Sequence, residues 1–140
     1  MHLGRGQELT FALDDSVGGA HDAPTPGELF CAALAASVDS AVRLVAARMS
    51  VGIERLAVIV TGDVDSRGVL GDTQVPVGFQ SIRLEVQLRL AAGTTAATGK
   101  RLLAIAERHC EVLQTLMSGV RIRVIHSGDP PSQSSVADGR

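Results

Sequence analysis

Apolar and polar positions change their spacing several times along the chain, and each change marks an element. Ile82, Leu84, Val86, Leu88 and Leu90 alternate with Arg83, Glu85, Gln87 and Arg89. A period of two puts one face of a strand on a core and the other in water. Upstream, every residue from Leu29 to Ala36 is apolar, and polar groups return at Asp39 and Arg43, one helical turn apart, and at Arg48. This pattern predicts a buried helix with one wet stripe. Its start is signalled by Thr25-Pro26-Gly27-Glu28, with a capping Thr, Pro at the first helical position and Glu three residues after the cap. The helix is expected to reach about Met49, with Val51-Gly52 ending it. Ile53 to Val64 is β-branched and reads as a strand before a Gly- and Asp-rich connection. Helical spacing returns from Ala96 to His109 through Leu102, Leu103, Ile105 and Ala106, and a shorter helix is expected from Cys110 to Met117. Two further strands are expected, Gln7 to Leu13 and, after Gly119, Val120 to Ile125.

The order strand, long helix, two strands, helix pair, strand predicts an α+β fold, an antiparallel sheet with helices packed on one side. One domain is expected over residues 1–126, and 127–140, with adjacent prolines and several serines, is expected to be a disordered tail. A four-stranded sheet hides only one side of a helix that is apolar on nearly all faces. Either the helix pair covers the other side within the chain, or two copies of the helix bury each other in a homodimer.

Composition narrows the functions. The chain has 140 residues, 45% of them apolar, with three Phe and no Trp or Tyr, so the core is aliphatic and bases have no stacking platform. A net charge of -2 and no Lys/Arg run argue against a nucleic-acid partner. No uninterrupted apolar run approaches about 20 residues, and the first residues lack a basic start followed by an apolar stretch, so a soluble cytoplasmic protein without a membrane partner is expected. Cys31 and Cys110 lie far apart without CxxC spacing, so they read as reduced thiols. His2, His21, His109 and His126 have no spacing that would converge them on a metal, and there is no GxGxxG or GxSxG. Neither a metal nor a cofactor is expected.

Three separated segments resemble the OsmC/Ohr family of thiol peroxidases. They are "DDSVGGAHDAPTPGELFCAALAAS" from Asp14 to Ser37, "DSRGVLGDTQVPVGFQSIRLEVQLRL" and "AERHCEVLQTLMSGVRIRV". The resemblance spans roughly Leu9 to Val124. It implies an OsmC-like fold, with an antiparallel sheet on a long central helix plus a helix pair, assembled as an intertwined homodimer. It also implies organic hydroperoxide as substrate: a buried thiolate attacks the peroxide, and a second cysteine closes a disulfide. An arginine activates the thiolate and a glutamate positions the arginine.

On this resemblance Ser37 falls on the attacking cysteine and Cys110 on the resolving one. Gly27 falls where the family has its glutamate; Glu28 is one residue later, ~100° around the helix. Arg5 is the stand-in for the arginine. Cys31, six residues before Ser37, is ~9 Å away along the helix axis and ~240° around it, so it does not replace the thiol. A serine hydroxyl cannot take oxygen from a peroxide as a thiolate does. Two functions follow. One is a protein related to the hydroperoxide reductases, in oxidative stress, with weak or no classical peroxidase activity. The other is a non-catalytic homodimer that binds a small hydrophobic molecule on the same scaffold.

Overall fold

Thr25 sets where the long helix begins. In the computed structural model of the chain, which describes residues 8–124, the Thr25 hydroxyl accepts the Glu28 N–H and the Glu28 carboxylate accepts the Thr25 N–H. With Pro26 in the first turn, this reciprocal box satisfies donors that a helix start leaves open. Helix α1 then runs over Pro26–Arg48. It ends where the sequence predicts, but through a different residue. Ser50 adopts φ +54°, and the N–H groups of Ser50 and Val51 donate back to the carbonyls of Ala47 and Ala46. This is a Schellman closure whose left-handed position is usually a glycine.

Strands β1 (Ile53–Val64) and β2 (Phe79–Leu90) pair antiparallel, with Leu56 opposite Leu88, Val58 opposite Val86 and Val60 opposite Leu84. These residues and Leu90 pack against the buried core, while Ile82, expected on the same face, is 39% exposed. A short helix not foreseen from the sequence, α2 (Ser66–Val69), lies in the connection, capped by Asp65. Gly62 leaves room for an aromatic ring. A Cβ there would stand 2.4 Å from the ring of Phe79, which also stacks on Phe30 of α1 at 5.2 Å.

Helices α3 (Ala96–His109) and α4 (Glu111–Ser118) meet at Cys110, the single residue between them. Leu34, Val38, Ala41, Val42, Val45 and Ala46 of α1 form the core with Leu102 and Ala106 of α3 and with Cys110. Full burial of one Leu or Val side chain contributes roughly 1.5–3 kcal/mol. The opposite face of α1, with Ala33, Ala36, Ser40, Leu44 and Ala47, is exposed. The helix pair therefore does not wrap α1 within the chain. Its wet stripe is present as the Asp39–Arg43 ion pair at 2.6 Å. By length and composition alone α1 could cross a membrane; here it is the helix around which the core is built.

Among the described residues, the other two expected strands are not seen. After an isolated bridge at Glu8, residues 9–14 are irregular, with the Ala12 N–H donating to the Pro24 carbonyl. Residues 120–124 are irregular as well, and Ile122 is 83% exposed. Among the described residues the sheet has two strands. Alternation gives a segment a face, but a strand forms only beside an edge that offers ladder partners. Gln7, Ile125, Arg5 and the expected tail lie outside the described residues.

Candidate functional site

The chain brings two distant positions together at the middle of α1. Ser37 is half-buried one helical turn from Leu34 and Ala41, on the flank of the core face. Cys110 is held at the α3–α4 joint in an extended conformation (φ -81°, ψ 106°), its N–H donating to the Glu107 carbonyl. The Ser37 Oγ and the Cys110 Sγ are 3.2 Å apart, within hydrogen-bonding distance. Cys110 is 1% exposed. Among the described residues, the hydrogen-bond partner of Ser37 is this thiol, and no imidazole or carboxylate stands there to activate the hydroxyl as in a hydrolase. A hydroxyl–thiol contact has the spacing from which two thiols could close a disulfide. As built it has one oxidisable sulfur.

Around this pair the other expected site residues are dispersed. Glu28 is occupied at the helix start, roughly 13 Å along the axis from Ser37 for nine residues at the helical rise. Its carboxyl is held below the ordinary value by the Thr25 backbone N–H, then by the Thr25 hydroxyl and the charge of His21. Gly27 has open space: a Cβ would meet only the edge of Phe79, at 3.5 Å, and the Thr25 hydroxyl oxygen, at 4.0 Å. The absence of a glutamate there is not forced by packing. Cys31 faces the sheet, its Sγ 3.4 Å from where a Cβ on Gly62 would stand.

A second group of polar side chains was not foreseen as a unit. His21 lies between two carboxylates, its Nδ1 3.6 Å from Asp14 Oδ2 and its Nε2 3.4 Å from Glu28 Oε2. It borders a hollow of about 480 Å³ lined by Asp22, Pro24, Glu28, Leu29 and Ala32. Asp14 is held below its ordinary value by the Ser16 hydroxyl, then by the Ser16 N–H, and more weakly by His21. The sequence signal was the Asp-, Gly- and Pro-rich composition of this loop, which marks a turn but does not say where its ring points. Asp14, Asp15 and His21 have ligand-type atoms within 4.8 Å of one another. They are surface groups of the sort common without an ion, and we assign no metal to them.

Residues 19–125 match the OsmC-like protein family. No curated protein sequence matches the chain. Among solved structures, an organic hydroperoxide resistance protein OsmC from Legionella pneumophila superposes with TM-score 0.63 at 23% identity, over 82% of this chain and 78% of that one. An OsmC-like protein of unknown function from Vibrio cholerae gives 0.67 at 14%, over 81% and 75%. The OsmC-like protein from Mycoplasma pneumoniae gives 0.59 at 19%, over 70% of this chain, which spans 65% of that protein's length. At such identities the likeness establishes the fold. With the family match covering most of the residues, this chain belongs to the OsmC-like protein family.

Proposed function

We propose that this protein is an OsmC-like homodimer, of the group that includes organic hydroperoxide resistance proteins, in which the two-thiol peroxidase reaction no longer runs. It keeps the scaffold to hold a small apolar molecule. One observation carries the reading. The position in contact with the buried Cys110 thiol is occupied by the Ser37 hydroxyl, at 3.2 Å. The two-thiol reaction consumes one hydroperoxide and two thiols, and releases an alcohol, water and a disulfide. Its first step needs a thiolate that accepts oxygen, and the hydroxyl of Ser37 does not supply one. Cys110 alone would have to be reached by the peroxide, and its burial opposes that.

The exposed apolar face of α1 supports the dimer. Ala33, Ala36, Ser40 and Ala47 form a smooth surface on which a second copy could lie closely, with Leu44 51% exposed at its side. The alternating residues Val120, Ile122 and Val124, exposed among the described residues, offer a second surface of the same kind. Free Cys31 and Cys110 fit a reducing cytoplasm.

The test is consumption of an alkyl hydroperoxide with a dithiol reductant. The parent chain is expected to show little turnover above the reductant alone. Ser37→Cys is expected to regain a small part, and Ser37→Cys with Gly27→Glu more. Rapid consumption by the parent, abolished by Cys110→Ser, would replace this reading with one-thiol chemistry at Cys110.

A further inference from the structure

The exposed strip of α1 has charge of opposite sign toward its two ends, and both charges lie along the same edge. At ~100° per residue, Arg43 is ~20°, Ala32 ~40° and Glu28 ~80° to one side of Ala36, whereas Ser40, Ala33 and Leu44 lie to the other side. Ala32 and Glu28 line the hollow at the start of the helix together with Asp22, Pro24 and Leu29. Among the described residues its lining holds no Lys or Arg. Glu28 is already engaged by Thr25 and His21, while Asp22 makes no ion pair among the described residues. The hollow is therefore an acidic notch with an apolar floor, open beside the strip.

Toward the other end, the Arg43 side chain is 56% exposed. Its bonds to the Asp39 carboxylate, at 2.6 and 3.2 Å, use Nε and Nη2. A guanidinium carries five N–H groups, so donors remain for a second carboxylate. The Asp39 pair also holds the fork at the edge of the strip. Arg48 is exposed too, but lies ~120° to the other side of Ala36 and so away from that edge.

We propose that in the homodimer two copies of α1 cross antiparallel, and each Arg43 enters the hollow of the other copy, against Asp22 and Glu28. The inference rests on the homodimer reading above and adds which ends of the helices meet. A two-fold axis across the helix keeps the same edge of both strips on one side, so Arg43 of each copy faces the hollow of the other. Placed between Ala36 and Ser40, the small residues at the middle of the strip, it brings the partner's Arg43 level with residue 33, ~1.5 Å along the axis from Ala32. The same placement sets Leu44, 51% exposed, opposite the small side chain of Ala32. An axis parallel to the helix would instead set acidic end beside acidic end. Exposed charge pairs add little affinity, and their larger effect is on orientation and choice of partner.

Charge reversal on the full chain tests this through the dimer dissociation constant, read by sedimentation, and the composition of mixed dimers, read by native mass spectrometry. Arg43→Glu alone and Asp22→Arg alone each set like charges at both contacts, and each is expected to raise the constant about tenfold. Mixing the two variants restores both contacts in the heterodimer, which is expected to dissociate within about threefold of the parent and to exceed the statistical share of about half. Loss of the Asp39 pair occurs in monomer and dimer alike, so it does not move these readouts. Arg48→Glu is expected to keep the parent's constant. A parent that stays monomeric overturns the homodimer reading and this contact with it. A dimeric parent whose Arg43→Glu variant dissociates no more readily, a mixture that stays statistical, or an Arg48→Glu chain weakened as much as Arg43→Glu overturns the contact alone.

Discussion

The two faces of α1 have nearly the same apolar composition and different fates. One carries Leu34, Val38, Ala41, Val42, Val45 and Ala46 into the core, where the hairpin, α3 and α4 bury them. The other carries Ala33, Ala36, Ser40, Leu44 and Ala47, which are exposed among the described residues. They differ in the share of large side chains: Leu34, Val38, Val42 and Val45 on the first face, Leu44 alone on the second. Leu and Val fill space between layers of unequal shape, while Ala and Ser keep a helix surface smooth enough for close approach by another body. Apolar character alone therefore does not distinguish a helix face buried by its own chain from one left exposed.

Substitutions on each face separate the two roles. Leu34→Ala, at a side chain only 2% exposed, is expected to lower unfolding free energy by about 2–5 kcal/mol in denaturant titrations. On the outer face, Ala36→Glu is expected to leave the fold of a single chain within about 0.5 kcal/mol. If the proposed dimer uses this face, the substitution should instead convert dimer to monomer in sedimentation, since a carboxylate buried between two helices has no partner. If the Ala36→Glu chain keeps the parent's mass in solution, the outer face is not the dimer face. The smallest effect is at the end of the helix, outside both faces. Ser50→Gly, which removes the cost of a left-handed side chain at φ +54°, is expected to stabilise by about 0.5–1 kcal/mol.

The parts of the fold legible in the sequence were those written as a period or a cap. Thr25 and Glu28 announced the start of α1, and the alternation through Ile82–Leu90 announced β2. The end of α1 was harder to read because a left-handed Ser50 has no signature until the backbone is seen to turn. Val120, Ile122 and Val124 had the pattern of a strand, yet pattern supplies a face and not a neighbouring edge.

The site divided in the same way. The resemblance marked Ser37 and Cys110 separately, and it took the fold to place them 3.2 Å apart. His21 stood in the sequence only as one of four histidines without a convergent spacing, whereas its ring reaches Asp14 and Glu28 through a left-handed backbone that the sequence does not announce.

Under the proposed function, Ser37 and Cys110 occupy the geometry of a two-thiol site from which one thiol is missing. Intact-mass and thiol counting on the Ser37→Cys chain after one equivalent of alkyl hydroperoxide test it most directly. The variant is expected to lose two hydrogens by forming a 37–110 disulfide that dithiol reverses and to retain one alkylatable thiol, Cys31, while the parent keeps both of its thiols under the same treatment. A variant that forms no such disulfide, or a parent that loses its Cys110 thiol as fast as the variant, would contradict it.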